Sequence, residues 1–198
     1  CFRCISIYNR ADDMHRWGIH LCLNITGGKI VFKEISINEL SFQPFQKMSG
    51  DWMLITAGDE SGNNTMTASW GLFGVLWRKN IAEIFIRPQR YTKKFVDQED
   101  LITLSFLPEQ YKTALKICGT LSGKNVDKWK ASGLHPYYID RTTAVAEAEL
   151  ILIGKKQYAQ WIDPQLFLER TNDERCYPQK DYHQMYMLEI VKVLKAEQ

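Results

Sequence analysis

The sequence predicts a mainly β fold of the α+β class, a β-rich barrel with helices inserted in its connections. Several segments alternate apolar and polar residues with the period of two that marks a half-buried strand. The few segments with helical spacing or helix-start signals lie between those strands. The composition, with 45% hydrophobic and 24% charged residues, is typical of a globular domain.

Five segments are predicted to be strands. Within one of them, Ala82, Ile84 and Ile86 share a face, while Phe85 and Arg87 occupy the other. The five segments are residues 52–56, 82–87, 101–106, 145–158 and 185–194, and the polar turn after the first is predicted to hold Asn63 and Asn64.

Helices are predicted in three of the connections. Residues 111–118 carry apolar side chains at i, i+3, i+4 and i+7, and Gly119 suits the position just past the helix end. Ser122 is predicted to cap a second short helix. Asp163 followed by Pro164 combines a capping residue with proline at the first helical position, and so begins a third.

The length of 198 residues suits one domain with a sizeable core and an appended arm. Residues 1–31 show no sustained period and end near a Thr26-Gly-Gly28 breaker. They are predicted to form an N-terminal arm that need not belong to the folded unit. Residues 32–198 are predicted to form the domain.

Charge and cysteine usage narrow the class of protein. The net charge of +2 is too small to indicate nucleic acid or a membrane surface as a partner, and no apolar run is long enough to span a bilayer. No signal segment opens the chain. Five cysteines, an odd number, favour free thiols in a reducing cytoplasm. Cys1 and Cys4 have CxxC-like spacing, but a zinc ribbon needs a second pair, so no metal site is predicted.

A cationic segment follows the strand at residues 82–87. Pro88 stops that strand, and Thr92 is a plausible N-cap for a short helix. Helix N-termini and arginine forks both favour anions, so the segment is a candidate phosphate site. A solvated turn with its cations in water is the alternative. The cations are Arg87, Arg90, Lys93 and Lys94.

A second segment, residues 64–71, alternates small hydroxyl residues with Met66, Ala68 and Trp70. A flavin ring needs close-approaching backbone and small hydroxyls at its polar edge and an apolar wall at its face. Ala68 and Gly71 allow close approach, and Trp70 is a candidate wall. An ordinary core strand with polar outer positions is the alternative.

These segments belong to a set of four motifs whose order and spacing, from Glu34 to the C-terminus, resemble the flavoredoxin branch of the flavin reductase-like FMN-binding split barrels. The resemblance implies a homodimeric, six-stranded antiparallel Greek-key split barrel with FMN near the dimer interface. The motifs are Asn64-Thr-Met-Thr-Ala-Ser-Trp-Gly71, Ile86-Arg-Pro-Gln-Arg-Tyr-Thr92, Cys118-Gly-Thr-Leu-Ser-Gly-Lys-Asn-Val-Asp-Lys128 and Asp181-Tyr-His-Gln-Met-Tyr186.

The resemblance also implies which residues bind the cofactor. The first motif would line the flavin ring, and the second would hold the ribityl phosphate. The third would close over the cofactor, either from the same subunit or from the other subunit of the dimer. The residues implied are Asn64, Thr67, Ala68, Ser69 and Trp70 from the first motif, Arg87, Pro88, Gln89, Arg90, Tyr91 and Thr92 from the second, and Cys118, Ser122, Gly123 and Asp127 from the third.

Two further side chains have open interpretations. His183 is implied as the catalytic residue, donating a proton or hydrogen bond to reduced flavin or to the nicotinamide amide, although lone histidines are often simply packed. Cys118 lies on the apolar stripe of its helix, which favours packing over reactivity beside a flavin.

The implied function is an oxidoreductase in which NAD(P)H delivers hydride to FMN, which passes electrons to an acceptor. No GxGxxG segment is present, so NAD(P)H is expected to bind transiently, as a substrate. The alternative is a non-catalytic FMN electron carrier reduced by a redox protein partner. A split barrel acting only as an interaction module is the third possibility.

Overall fold

The computed structural model describes residues 5–7, 19–23 and 29–197 of the chain, with side chains from residue 31 onward. The described strands are β1 (Ile5–Ile7), β2 (Ile19–Leu23), β3 (Lys29–Ile35), β4 (Met53–Asp59), β5 (Gly62–Ala68), β6 (Gly71–Leu76), β7 (Lys79–Ile86), β8 (Leu101–Phe106), β9 (Pro136–Ile139), β10 (Thr142–Val145), β11 (Leu150–Trp161) and β12 (Gln184–Ala196). The α-helices are α1 (Pro44–Gln46), α2 (Thr92–Gln98), α3 (Lys112–Thr120), α4 (Lys128–Ser132) and α5 (Arg170–Cys176). Short 3-10 turns lie at Ile37–Glu39, Glu109–Tyr111 and Pro164–Leu166, and a π-helical turn at Lys47–Asp51. None of these helices has the length and apolar character needed to cross a bilayer.

Ten strands form one antiparallel sheet in the order β1-β2-β3-β12-β11-β8-β4-β5, with β7 pairing to both β12 and β6. The long β12 joins its parts, because residues 184–189 pair with β7 and residues 193–196 pair with β3. In the described part no ladder joins β5 to β6, although only Ser69 and Trp70 separate them. We call this opening the seam. The predicted mainly β class with helical insertions is confirmed, and the sheet has more strands than the expected six.

The core consists of two apolar clusters on opposite faces of the sheet. Met53 and Ile55 of β4 lie in the inner cluster, and Leu54 between them lies in the outer one. Likewise Leu152 of β11 is inner and Ile151 is outer. The outer face is buried because α3, α4 and the β9–β10 hairpin cover it. Burial on both faces explains why β4 is nearly continuously apolar in sequence.

The backbone described before residue 32 is hydrogen-bonded into the sheet. β2 pairs with β3, β1 pairs with β2, and β3 reaches β12 through residues 32–35. Cys1, Cys4 and residues 26–28 lie outside the described residues. The domain boundary at residue 32 stays a prediction.

Two strand predictions need correction. Asn63 and Asn64 do not lie in a turn but belong to β5, because the hairpin turn closes earlier, where the Asp59 carboxylate accepts hydrogen bonds from the Ser61 amide (2.8 Å) and hydroxyl (2.6 Å). The strand predicted to begin at residue 145 begins at Leu150. Residues 146–149 form a turn instead, held by the Ala148 amide donating to the Val145 carbonyl.

The helix predictions are confirmed in place, but their ends differ. Gly119 lies inside α3 rather than after it. Ser122 does not cap α4, because Asp127 accepts the Lys130 amide and fills that position. Thr92 is the first residue of α2. Its hydroxyl accepts a hydrogen bond from Asn64 of β5 instead of capping the helix. Asp163 does cap the turn that follows it.

Candidate functional site

An aromatic group lies at the seam. Trp70, between β5 and β6, is 45% exposed, and its ring centroid lies 5.0 Å from that of His183. Phe85 of β7 and Tyr177 contact the same imidazole, with centroids at 6.5 and 5.5 Å. Gly71 permits this close turn, because a Cβ there would lie 2.8 Å from the Glu83 carbonyl oxygen. The seam therefore has an exposed, flat apolar wall.

Arg87, at the end of β7, is held by an ion pair with Asp181. Its Nη1 lies 2.5 Å from Asp181 Oδ2, and its Nη2 donates to the Cys176 carbonyl at 2.8 Å. Gln89 donates to the same carboxylate oxygen at 2.7 Å. Hydrogen bonds from Arg87 and Gln89 lower the pKa of Asp181. The other oxygen, Asp181 Oδ1, is buried and has no hydrogen-bond partner among the described residues.

The C-terminal end of α3 is held by two cations from different motifs. Arg90 Nη1 donates to the Gly119 carbonyl at 2.5 Å, and Lys128 Nζ donates to the Cys118 carbonyl at 2.8 Å. Lys128 also donates to the Thr65 carbonyl on β5, at 2.9 Å. Carbonyls in the last turn of a helix lack intrahelical donors, so the two side chains satisfy groups that would otherwise be orphaned.

Burial lowers the pKa of both cations. Lys128 is only 4% exposed, and burial lowers its pKa to about 8. Burial and the neighbouring Arg87 guanidinium lower the pKa of Arg90. Neither cation has a carboxylate partner within 4.0 Å among the described residues.

The first three motifs meet around Asn64. Its amide donates to the Thr92 hydroxyl at 2.6 Å, which joins β5 to the start of α2. On its other side lies Gly123, where a Cβ would overlap the Asn64 Oδ1 atom. A larger residue would require the hydrogen-bonded Asn64 side chain to shift, so glycine suits this close approach of the loop between α3 and α4 to β5. The Thr67 hydroxyl donates to the Leu115 carbonyl and holds α3 against the same strand.

His183 is a neutral imidazole at pH 7. It is 8% exposed, and burial, followed by the positive charge of Arg87, lowers its pKa to about 4. The Tyr177 hydroxyl lies 2.8 Å from Nδ1. A tyrosine that donates to Nδ1 fixes the remaining ring proton on Nε2. In that tautomer Nε2 is a hydrogen-bond donor at neutral pH.

Comparison with known proteins identifies the family. Residues 45–157, more than half of the chain, match the family model described as the flavin reductase like domain. The chain belongs to the flavin reductase-like family. Among curated proteins, no significant match was found.

Three solved structures share the fold. An FMN-binding domain of a flavin reductase-like enzyme from Shewanella baltica OS155 is 12% identical, with a TM-score of 0.59 over 83% of this chain and 76% of that one. Flavoredoxin from Methanosarcina acetivorans is 19% identical, with a TM-score of 0.58 over 83% and 76%. The NADH:FAD oxidoreductase SgcE6 of Streptomyces globisporus C-1027 is 12% identical, with a TM-score of 0.54 over 73% and 75%.

Within this flavin reductase-like fold, the predicted cofactor residues differ in burial. The first three motifs converge, but their members do not all face a common space. Those buried are Asn64, Ala68, Thr92 and Cys118; those half-buried are Thr67, Arg87, Arg90, Tyr91 and Gly123; and those exposed are Ser69, Trp70, Pro88, Gln89, Ser122 and Asp127.

Two of the buried residues are part of the core. Ala68 packs in the inner apolar cluster and Cys118 in the outer one. Burial raises the pKa of the Cys118 thiol, which keeps it protonated and unreactive. Tyr91 packs edge-on against Phe95, with ring centroids 5.5 Å apart. These contacts give Ala68, Cys118 and Tyr91 a structural role.

Sequence reasoning missed three residues of this region. Lys128 is the last residue of the third motif, and its Asp127-Lys pair was a usable signal for a cap followed by a buried cation. Asp181 opens the fourth motif, but nothing in sequence pairs it with Arg87. Tyr177 follows α5, a helix without a buried residue, so no periodic pattern points to it.

A large cavity among the described residues lies elsewhere. It has a volume of about 1040 Å³ and lies between the start of the domain and the β8–α3 connection. Phe42, Lys47, His135 and Glu147 are among its lining residues, and none of the predicted cofactor residues is. The candidate site at the seam, where Trp70 is exposed, is separate from this cavity.

Proposed function

We propose that this protein is an FMN-binding oxidoreductase that takes hydride from NAD(P)H and passes electrons to an acceptor. The observation that carries the proposal is the arrangement at the seam. An exposed indole, Trp70, lies in one group with His183, and Arg87 of the same group neighbours Arg90. A flat apolar wall suits the flavin ring, and a nearby cation without a carboxylate partner suits the phosphate.

The residues present fit FMN in three respects. The aromatic face of Trp70 suits the flavin ring, and the positive charges of Arg90 and Lys128 suit its phosphate. The unpartnered oxygen of Asp181 suits a hydroxyl or N–H donor of the ligand. When bound, FMN would supply the hydride-accepting ring, while the protein supplies position and electrostatics.

Each group of residues then has a role. Thr67, Ser69 and Trp70 would position the ring, and Arg90 with Thr92 would hold the phosphate. The loop of Ser122, Gly123 and Asp127 would close the site from the side of α3. We assign Arg87 and Gln89 to the support of Asp181, because both already bond to its carboxylate.

His183 would orient the nicotinamide or the flavin by a hydrogen bond from Nε2. Its low pKa argues against a role as proton donor at neutral pH. NAD(P)H would bind on the open face of the seam, since the chain has no dinucleotide-binding fingerprint. In support, the structural neighbour SgcE6, 13% identical, was solved in complex with NAD and FAD fragments.

We further propose a homodimer that uses the β6 edge. In the described part β6 pairs only with β7, and its exposed side chains are largely apolar. Leu72, Val75 and Trp77 are 57%, 75% and 55% exposed. A charged residue at this edge, Val75→Lys, should convert a dimer to a monomer in size-exclusion chromatography with light scattering. A wild-type monomer would refute the dimer.

The deciding experiment is a visible absorption spectrum of the purified protein, followed by anaerobic addition of NADH and NADPH. Flavin bands that bleach with either nucleotide would support the reductase. Bands that persist with both nucleotides but bleach with a one-electron donor would identify an electron carrier like flavoredoxin. A colourless protein that takes up no added FMN would refute the cofactor assignment.

A further inference from the structure

Arg90, which is half-buried, and Lys128, which is buried, are two cations at the end of α3. Their hydrogen-bond partners, the carbonyls of Gly119 and Cys118, are consecutive in the chain. Each cation acts on the other, because the Arg90 charge contributes to the low pKa of Lys128. Both belong to motifs that the family resemblance links to the cofactor. In the proposed function, Lys128 has so far contributed only its positive charge.

Helix capping accounts for the hydrogen bonds of this pair but not for its charge. Two carbonyl groups and the negative end of a helix offset only part of one ammonium. Holding a second, half-buried cation near it costs free energy unless an anion compensates. The described residues supply no such anion, since no carboxylate lies within 4.0 Å of either cation. The pair is therefore suited to an external counter-ion.

Neighbouring groups favour a phosphate monoester as that counter-ion. The Thr92 hydroxyl accepts from Asn64 and keeps its own O–H as a donor. The Arg90 guanidinium has donors beyond the one used at Gly119. A phosphate dianion needs several donors and about two positive charges, which these groups provide.

We propose that Arg90 and Lys128 together form the subsite for the phosphate dianion of FMN. Arg90 contacts the phosphate, and Lys128 contributes its positive charge from a buried position. The inference rests on the proposed function and adds Lys128 to it as a positioning residue. It also makes FMN binding depend on a proton. Above pH 8 the ammonium of the empty site loses its proton, and a bound dianion restores it.

The groups that face Lys128 leave it as the residue that titrates in this range. From α3 comes the Cys118 thiol, whose pKa is raised by burial, and from the segment before α2 comes Arg90, which stays protonated. β5 contributes only the Thr65 carbonyl. FMN affinity should therefore fall as pH rises above 8, while riboflavin affinity should not.

The test compares Lys128→Met with Lys130→Met, an exposed lysine of the same helix. Dissociation constants of FMN and riboflavin are measured by flavin fluorescence at pH 7 and pH 9. Calorimetry in two buffers of different ionisation enthalpy gives the protons taken up. We expect Lys128→Met to weaken FMN by about 10- to 100-fold and riboflavin by less than about 3-fold. The wild type and Lys130→Met should take up close to one proton with FMN at pH 9.

A second variant, Lys128→Arg, keeps the inference testable if Lys128→Met does not fold. Arginine stays charged at both pH values, so FMN affinity should be retained and proton uptake at pH 9 should be lost. Equal weakening of FMN and riboflavin in Lys128→Met, or the same proton uptake in Lys128→Arg as in wild type, would overturn the inference. Wild-type protein that binds neither flavin would instead refute the proposed function.

Discussion

Arg87 and Arg90 lie three residues apart in one motif but have different partners, so replacing each with methionine should change a different property. Arg87 is bound to the Asp181 carboxylate and the Cys176 carbonyl. Among the residues that the structure describes, Arg90 bonds to the Gly119 carbonyl and has no carboxylate partner. Methionine keeps much of the apolar stem of each side chain, so the comparison isolates the guanidinium.

The two expected magnitudes follow from these contacts. A hydrogen bond to a charged group contributes about 1.5–3 kcal/mol, so Arg90→Met should raise the dissociation constant of FMN by about 10- to 150-fold. Riboflavin, which lacks the phosphate, should change little. Arg87→Met leaves the Asp181 carboxylate without its cation. The side chains of this ion pair are 26% and 16% exposed, between a surface and a buried pair, so unfolding free energy should fall by about 1–3 kcal/mol.

The assay is a pair of measurements on both variants. Urea unfolding gives the free energy of the apo protein, and fluorescence titration gives the affinities for FMN and riboflavin. Arg90→Met should lose FMN selectively with a small change in stability, whereas Arg87→Met should lose stability and affect both flavins alike. If Arg87→Met selectively lost FMN and Arg90→Met did not, the assignment of the phosphate to Arg90 would be wrong.

Three further predictions concern the surroundings of the site. The pKa of His183 is about 4 in the native state against 6.5 in the unfolded chain, so the unfolded chain binds a proton more readily. The free energy of unfolding should therefore fall by about 3 kcal/mol between pH 6.5 and pH 4, and by less in His183→Gln, as urea unfolding at each pH would measure. Gly123→Ala forces the loop away from Asn64 and should weaken FMN and riboflavin together, unlike Arg90→Met; unchanged titrations would show that the loop does not cover the flavin. Cys118 should escape alkylation in native protein and react on unfolding, as peptide mass spectrometry would report, because it is fully buried.

The strands were predictable where alternation is undisturbed. Ile84 and Ile86 of β7 face the inner core, as the period of two requires, and β8 has the predicted bounds. The prediction failed at residues 145–149, where alternation continues through a turn. There Glu147 accepts hydrogen bonds from the amide and ring of His135. His135 lies between α4 and β9, so no local pattern reveals this partner. Tertiary pairing, not local propensity, decided the start of β11.

The candidate site was predictable as a set of segments but not as a set of contacts. The motifs at residues 64–71, 86–92 and 118–128 meet within one chain, around Asn64, and their role in binding a cofactor stays a prediction. Which arginine is paired could not be read from the chain, because Asp181 comes 94 residues after Arg87 and has no periodic relation to it. Side-chain partners across such distances are set by the three-dimensional course of the chain.

The C-terminal end of α3 connects cofactor affinity to the packing of the domain. Arg90 and Lys128 hold two successive carbonyls of this helix, and Thr67 of β5 holds a third, at Leu115. All three belong to the motifs proposed to bind FMN. An anion that draws charge from Arg90 and Lys128 therefore acts on the same groups that fix α3 against β5. Stability of the α3 end and affinity for the phosphate should be linked, so that FMN protects the amides of α3 from hydrogen exchange more than riboflavin does.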